Sequence, residues 1–340
     1  MTRDSSQQAS DLNSTAIQPV LDPETREFLK SLVEQGGPPF DKLSVEEARA
    51  ASIRLQAVDV PKLPADVEDL TIRVGPGGSV DIRIVRPQGS SRALPAVMYF
   101  HGGGWVVGDK YGYDPTLRAL ANGSNSAVVF VDYTRSPEVR YPHANEEAYA
   151  ATKWVAEHGP QINVDGSRLA VAGDSAGGNM AAAVSLLAKQ RGGPNLALQV
   201  LLYPTLDVDF ANPSYRQFSS GYFLETESMK WFWNHYAPDL PTRQESTACP
   251  LRASLEQLSG LPPALVVTAE CDVLRDEGEA YARRLAQTGI EVTATRYLGT
   301  IHGFVTLNAL SQTAAGRAAM AQTNAALRSA LGVAAQEKAA

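Results

Sequence analysis

Two kinds of hydrophobic spacing follow one another along this chain. Residues 22–37 and 44–56 carry apolar positions at helical intervals. Pro23 stands at the start of the first segment, and Ser44 with Glu47 forms the sequence pattern of a capping box at the second. The pattern therefore predicts two N-terminal helices that precede the rest of the fold.

From residue 69 the pattern changes to short β-branched runs. Two runs flank "GPGGS" and predict a hairpin over 69–74 and 80–87. Six more runs predict strands at 95–100, 127–133, 168–173, 196–204, 263–270 and 291–298. Helical patterns fill most gaps, at 113–122, 144–157, 176–190, 276–288 and 306–331. This alternation predicts an α/β protein whose eight-stranded, mostly parallel sheet is flanked by helices on both faces.

Residues 205–262 break this rhythm, because they form a longer connection than two neighbouring elements need. The segment is rich in Phe, Trp and Tyr, and we interpret 205–247 as an inserted helical sub-domain. The N-terminal segment 1–56 lies outside the sheet as well and is expected to join it. The core would then consist of 57–204 and 248–335.

Composition narrows the class of protein. The 340 residues have a net charge of −7, with 44% hydrophobic and 20% charged residues, which is an ordinary globular balance. An acidic chain is a poor match for a nucleic-acid surface. Cys249 and Cys271 form no CxxC pair, so neither a disulfide framework nor a zinc site is expected.

The N-terminus gives an indication of location. Residues 1–18 are polar and expected to fray, and they lack the apolar region of a signal peptide. No stretch of about 18 apolar residues occurs, so we expect no membrane span. These features weakly favour a cytoplasmic location.

A single serine stands among glycines in "AVAGDSAGGNM", residues 170–180. A strand, then G-x-S-x-G, then a helix is the sequence form of a nucleophile elbow. The turn is sharp, and a side chain at Gly173 or Gly177 would collide with the neighbouring strand or helix. Ser175 would stand at a helix N-terminus, where negative charge is favoured. The alternatives are an incidental serine in a glycine-rich turn or a phosphate loop, although "GDSAGG" does not match G-x-G-x-x-G.

A nucleophilic serine needs a base, and on this architecture the order along the chain is serine, acid, histidine. Two histidines follow Ser175, and His235 lies in the aromatic segment, where packing is the favoured role. His302 follows the last strand, at the sheet edge where ligands bind in open α/β folds. We therefore predict His302 as the base. Structural roles are expected for His101, His143 and His158.

The acid that orients the histidine should end the preceding strand. "LVVTAECDVLRDEGEAYA" offers four acidic side chains. Asp276 and Glu277 open the next helix, where the helix dipole explains them. Asp272 stands in the turn and is predicted as the acid, with Glu270 as the alternative.

A glycine run in "VMYFHGGGWVVGDK" follows the third strand. Attack on a carbonyl creates an oxyanion that backbone N–H groups must stabilise, and this loop supplies them in such folds. We predict Gly103, Gly104 and Ala176 as the donors. Alone, "HGGGW" is compatible with a flexible loop, but it occurs together with "GDSAGG" and "IHGF".

The motifs "HGGGW", "GDSAGG", "AECDVLRDEGEAYA" and "HGF" resemble those of the hormone-sensitive-lipase-like α/β-hydrolases, the bacterial family IV esterases. The resemblance runs from about Leu70 to about Leu331. The usual "YRLAPE" is "YTRSPE" here, and Glu147 replaces an expected Asp. Cys271 and Val273 flank the acid where Phe and Pro are common. These departures are interpreted as structural.

The resemblance implies a carboxylesterase with an α/β-hydrolase core and a helical cap. Ser175, Asp272 and His302 would be its triad, acting on short- to medium-chain acyl esters without metal or cofactor. Family members often dimerise, so a homodimer is compatible with the resemblance. Pocket-wall candidates, each more commonly a core residue, are Trp105, Tyr203, Phe223 and Trp231.

Other functions stay open on the residues alone. The same machinery could cleave amides, formamides, lactones or acetylated metabolites. A binding protein of this fold would have lost a triad member, and all three are present here. The hypothesis of a phosphate-binding enzyme has still less support, because the sequence contains no G-x-x-x-x-G-K-[ST] motif.

Overall fold

The computed structural model describes residues 19–333, which fold around a sheet of eight strands. The predicted fraying of 1–18 lies outside the described residues. The strands are β1 (Ala65–Ile72), β2 (Val80–Pro87), β3 (Leu94–Phe100), β4 (Ala127–Asp132), β5 (Val164–Asp174), β6 (Gln199–Leu202), β7 (Ala264–Cys271) and β8 (Val292–Ile301). Their order is β1-β2-β4-β3-β5-β6-β7-β8, and β2 is antiparallel to both neighbours. The remaining pairs are parallel, so the mostly parallel sheet is confirmed.

Helices cover the sheet between these strands. The helices are α1 (Pro23–Gln35), α2 (Val45–Leu55), α3 (Asp114–Ser124), α4 (His143–His158), α5 (Ala176–Gln190), α6 (Pro213–Gln217), α7 (Thr226–Tyr236), α8 (Leu255–Leu258), α9 (Arg275–Gln287), α10 (Asn308–Ser311) and α11 (Ala314–Ala330). Short 3₁₀ turns lie at Phe40–Lys42, Gly159–Ile162, Thr242–Gln244 and Pro250–Arg252. The capping box at Ser44 and Glu47 begins α2, as its sequence predicts.

Two predicted elements are shorter than their hydrophobic patterns. The pattern at 306–331 divides into α10 and α11, because Thr313 caps the second helix by accepting the Gly316 N–H at 3.1 Å. The strand pattern at 196–204 pairs only over β6, since Tyr203 has a φ of 37° and leaves the extended conformation. Apolar runs thus mark buried chain more reliably than they mark element ends.

The register of the sheet brings the four predicted motifs to one edge. Phe100, the last residue of β3, lies opposite Gly173 near the end of β5. Cys271, the last residue of β7, lies opposite Ile301, the last of β8. Because these strands are parallel, the loops that follow them emerge together at the carboxyl edge.

The N-terminal elements and the long connection, residues 205–262, contact each other above this edge. Phe40 packs on Phe232 with ring centroids 5.5 Å apart, and Phe28 packs edge-on against Phe223 at 5.8 Å. The Asp22 N–H donates to the Gly299 carbonyl at 3.0 Å and fixes the start of α1 on β8. None of the helices within 19–333 has the length and apolarity that a bilayer crossing requires.

An ion pair across the hairpin joins the two outermost strands at the β1 side of the sheet. Arg83 in β2 stands opposite Asp69 in β1 and is 8% exposed. Its guanidinium donates to both carboxylate oxygens, each at 2.8 Å. These hydrogen bonds from Arg83, assisted by Lys110, lower the pKa of Asp69 from 3.8 to about 2.

We predict that Asp69→Asn lowers the melting temperature at neutral pH. A carboxyl whose pKa falls on folding stabilises the fold above its unfolded pKa, and this contribution is lost as the pH falls through the folded pKa. The melting-temperature difference between wild type and Asp69→Asn should therefore shrink from about pH 5 to about pH 2. Calorimetry across that range measures it, and a difference that does not depend on pH would contradict the role of this pair.

Candidate active site

The turn between β5 and α5 holds Ser175 in a strained conformation. Its φ is 55° and its ψ is −119°, which L-residues adopt rarely and only where the surroundings enforce it. A Cβ at Gly173 would meet the carbonyl oxygens of Gly177 and Phe100, and one at Gly177 would overlap the Phe100 carbonyl. The structure therefore contains the close approach that the glycine spacing predicts.

Three side chains form one hydrogen-bonded chain at the carboxyl edge. His302 Nε2 lies 2.9 Å from Ser175 Oγ, and His302 Nδ1 lies 2.8 Å from Asp272 Oδ2. The other carboxylate oxygen of Asp272 accepts the Leu274 N–H at 3.0 Å. An Nδ1–H donated to Asp272 leaves the Nε2 lone pair free to accept the Ser175 hydroxyl proton. This arrangement can generate a nucleophilic serine.

The alternative acids are bonded elsewhere. Glu270 Oε2 accepts the Gly299 N–H at 2.8 Å. Asp276 accepts the Ser214 N–H, and Glu277 accepts the Leu206 N–H, at 2.9 and 2.6 Å. Both residues lie in α9 and connect it to the long connection. The geometry thus favours Asp272 among the four acidic candidates.

The remaining histidines do not reach Ser175. His235 lies in α7 and bonds the Trp231 carbonyl one turn earlier, at 2.8 Å. His143 and His158 make similar local contacts, to Glu147 and to the Trp154 carbonyl. Glu147 also accepts the N–H and the hydroxyl of Thr134, at 2.7 and 2.8 Å, so the departure at this position serves a structural purpose.

His101 has a role in the site that the sequence reasoning missed. Its Nδ1 donates to the Gly102 carbonyl at 2.7 Å. The N–H and C=O of a trans peptide point in opposite directions, so the Gly103 N–H faces away from this ring. Burial lowers the pKa of His101 to about 3, which keeps the imidazole neutral. The sequence shows that His101 stands directly before the glycines, but not which carbonyl its ring bonds.

The next peptide of the glycine loop, residues 101–107, is fixed in the same way. The Gly103 carbonyl accepts from the Val106 and Val107 N–H groups at 3.0 and 2.9 Å, so the Gly104 N–H points in the opposite direction. Within the described residues no acceptor takes the Gly103 or Gly104 N–H. Ala176 opens α5, where a helix leaves its first N–H groups unpaired. The loop and the helix thus offer free donors beside Ser175.

Asp174 ties the glycine loop to the core, and the sequence reasoning assigned it no role. Its buried carboxylate accepts hydrogen bonds from four donors, namely Tyr99 Oη (2.8 Å), Tyr113 Oη (2.9 Å), Gly102 N (3.0 Å) and Thr306 Oγ1 (3.2 Å). Burial raises the pKa of Asp174, and these donors act against that shift. A buried acid directly before the nucleophile was the available signal.

A cavity of about 400 Å³ opens above Ser175 and His302. The N-terminal elements and the long connection supply much of its apolar wall, and Val107 and Leu307 of the core add to it. The side chains from the first two parts are Phe40, Leu55, Phe223, Leu224, Met229 and Phe232. Gly103 and Gly104 line the same cavity. The free donors and the serine therefore face one apolar space. Within 19–333 no cluster of His, Cys, Asp or Glu could hold a metal ion.

Of the four wall candidates, Phe223 alone lines this cavity within the described residues. Trp105 is fully buried and stacks on Tyr236, with centroids 3.9 Å apart. Tyr203 lies behind the site with its ring edge-on to His302, at 4.9 Å. Trp231 packs on His235 at 4.1 Å. Successive helical residues point about 100° apart, so it is Phe232 that faces the cavity.

Comparisons with known proteins agree with this geometry. Residues 97–306 match the family model of the alpha/beta hydrolase fold. The chain is similar to carboxylesterase NlhH of Mycobacterium tuberculosis, 36% identical over 298 residues that cover 86% of this chain and 91% of the relative. It is also similar to ethyl acetate hydrolase of Pseudomonas putida, 34% identical over 304 residues, with 86% and 95% covered.

The solved structures that resemble this chain are esterases as well. A thermostable esterase from Pseudomonas putida is 51% identical with a TM-score of 0.91, and the match covers 93% of this chain and 99% of that one. A hyperthermophilic esterase from Pyrobaculum calidifontis is 39% identical with a TM-score of 0.82, covering 91% and 98%. The similarity to these structures therefore covers most of the chain and not only the segment that contains the predicted motifs.

We predict that Asp272→Asn slows the reaction of Ser175 with a fluorophosphonate probe by about three to four orders of magnitude. The amide would stabilise the wrong imidazole tautomer and leave Nε2 unable to accept the serine proton. Glu270→Gln is the matched control and should label at the wild-type rate, because Glu270 bonds Gly299. The labelling rate is measured by mass spectrometry. Normal labelling of Asp272→Asn with slow labelling of Glu270→Gln would reverse the assignment.

Proposed function

The chain belongs to the α/β-hydrolase fold family and is a carboxylic ester hydrolase, and we propose that it cleaves short- to medium-chain acyl esters through an acyl-enzyme on Ser175. The observation that carries the proposal is the Ser175–His302–Asp272 chain, with contacts of 2.9 and 2.8 Å, at the base of an apolar cavity. The relatives that resemble this chain bear the names of ester hydrolases.

Acylation begins when His302 Nε2 takes the Ser175 hydroxyl proton while Oγ forms a bond to the ester carbonyl carbon. The carbonyl π electrons move to the oxygen, and the N–H groups of Gly103, Gly104 and Ala176 stabilise the resulting oxyanion. Asp272 stays ionised and stabilises the imidazolium. When the oxyanion collapses, the bond to the alcohol oxygen breaks, and His302 gives the alcohol its proton.

Deacylation repeats these steps with water. His302 Nε2 takes a proton from the water, whose oxygen attacks the acyl carbon and forms a second oxyanion in the same place. The bond to Ser175 Oγ then breaks, the proton returns to Oγ, and the carboxylic acid leaves. Both half-reactions thus depend on the same N–H donors.

The predicted cap, 1–56 and 205–247 over a core of 57–204 and 248–335, extends beyond the described residues at 1–18 and 334–335. We propose that 19–56 and 205–247 form a cap over a core of 57–204 and 248–333. The support is the cavity wall, to which both parts contribute, and the packing of Phe40 on Phe232. Ligand pockets commonly measure about 300–1,000 Å³, so a cavity of about 400 Å³ is suited to a small acyl group. The cap would therefore limit the acyl length.

A homodimer and a cytoplasmic location stay predictions. β8 is the last strand of the sheet, and Leu298 on it is 70% exposed, which is compatible with association through this edge. Sedimentation analysis of the purified protein would decide the oligomeric state.

Amide, lactone or acetyl-metabolite cleavage uses the same triad and differs in the leaving group. The ester hydrolase names of the relatives make ester cleavage the proposal.

We predict that wild-type protein hydrolyses p-nitrophenyl esters fastest at short acyl chains across the series from about two to sixteen carbons. Ser175→Ala should lower kcat by up to about six orders of magnitude, because the nucleophile is lost. Ser185→Ala is the control: Ser185 is buried in α5 and bonds only the Ala181 carbonyl, so its rate should match wild type. Esterase activity that survives in Ser175→Ala would rule out this mechanism, and a maximum at sixteen carbons would rule out the small-cavity account.

We predict that Met229→Ala shifts the optimum towards longer acyl chains. Met229 lines the cavity and is 2% exposed, so its truncation enlarges the space for the acyl group. The rate on the acetyl ester should stay within about threefold of wild type, since the triad is untouched. The chain-length profile measures this, and an unchanged profile would place the acyl group elsewhere.

A further inference from the structure

The face of α7 that points to the core lies against the glycine loop. A Cβ built on Gly104 would overlap ring atoms of Phe232, so that ring rests directly on the Gly104 backbone. Phe232 in turn packs on Phe40 from the N-terminal segment. Gly104 is thus held between its own chain and an aromatic layer that arrives from two distant parts of the sequence.

Trp105, the next residue, is inserted into the same helix face. Its ring stacks on Tyr236 at 3.9 Å with an interplanar angle of 3°, and it contacts Trp233 at 4.9 Å. All three rings are fully buried. Neither Trp233 nor Tyr236 is among the residues of the described chain that line the cavity. Their contact with the site therefore runs through the loop and not through a substrate.

The loop is strained where α7 holds it. Gly104 and Trp105 have φ values of 59° and 61°, in the left-handed region that a tryptophan seldom occupies. Such a conformation persists only when neighbouring structure enforces it. On one side the Ser136 N–H donates to the Trp105 carbonyl, and Arg49 Nε donates to the Val106 carbonyl. On the other side the aromatic face of α7 supplies the packing.

We propose that α7 is a clamp for the glycine loop, in which Phe232, Trp233 and Tyr236 hold the Gly104 N–H where the oxyanion forms. These three are positioning residues, and the inference rests on the proposed function. The His101 contact with the Gly102 carbonyl orients the first donor, the Gly103 N–H. The second donor, the Gly104 N–H, is oriented by the loop's own hydrogen bonds to the Gly103 carbonyl, and the packing of α7 holds that part of the loop in place. The core-facing side of α7 would then both enclose the acyl group and position an oxyanion donor.

Tyr236 offers the sharpest test because it lies outside the cavity. Tyr236→Leu removes the ring that stacks on Trp105, and Tyr236→Phe keeps it. Trp231→Leu is the control from the same helix. The ring of Trp231 packs on His235 at 4.1 Å and touches Phe232 edge-on at 5.2 Å, but within the described residues it does not stack on Trp105. Each variant is assayed with a short acyl ester beside wild type and Ser175→Ala, and its melting temperature is recorded. Inhibition by a trifluoromethyl ketone, whose serine adduct carries an oxyanion, is measured in parallel.

If the clamp is correct, Tyr236→Leu should lower kcat and kcat/KM together by about ten- to hundredfold and leave KM within about twofold of wild type. The reason is that the substitution displaces a donor that acts only in the transition state. The affinity for the ketone should fall by a similar factor. Tyr236→Phe and Trp231→Leu should both resemble wild type. If Tyr236→Leu does not fold, Tyr236→Met carries the same expectations.

Two results would overturn the clamp. A folded Tyr236→Leu with wild-type kcat and ketone affinity would show that the stack does not position the donor. An equal loss in Trp231→Leu would show a general effect of α7. Activity that persists in Ser175→Ala would instead remove the proposed function, and the clamp with it. If Ser175→Ala is inactive while Tyr236→Leu is unaffected, the clamp is wrong and the proposed function stands.

Discussion

The site depends on the contact between the Ser175 turn and the end of β3. The Phe100 carbonyl approaches Gly173 and Gly177 so closely that neither position has room for a Cβ. The approach brings the strained serine beside the glycine loop, because that loop leaves β3 immediately after Phe100. Asp174 reinforces the contact by accepting the Gly102 N–H. One piece of backbone packing therefore brings the nucleophile beside the start of the glycine loop.

Much of this arrangement could be read from the chain because it depends on local order. The elbow, the acid and the histidine each follow a strand, and parallel strands deliver their carboxyl ends to a common edge. The choice of Asp272 over Glu270 rested on its place in the turn, which is the position from which it contacts His302. Fold class and family are confirmed, while the roles of these residues stay predictions until they are tested by substitution.

The contacts that escaped prediction are long-range. Phe232 and Gly104 touch although they are far apart in sequence, and no spacing rule indicates which face of α7 meets the core. Trp231, predicted as a wall residue, does not line the cavity of the described residues, because the sequence shows the aromatic content of α7 but not the rotation of the helix about its axis. His101 was assigned to structure alone because a histidine before glycines gives no sign of which carbonyl it will bond.

Both donors of the glycine loop are oriented by a hydrogen bond to the carbonyl of their own peptide, but the surroundings that hold the two peptides differ. Gly103 is oriented by His101, which is buried and neutral within the core. Gly104 is followed by a tryptophan in a left-handed conformation whose packing partners belong to α7. The packing of α7 thus maintains the left-handed conformation of Trp105, which persists only where neighbouring structure enforces it. Because Met229 and Phe232 of the same helix line the cavity, one helix contacts both the acyl space and the backbone that carries the second donor.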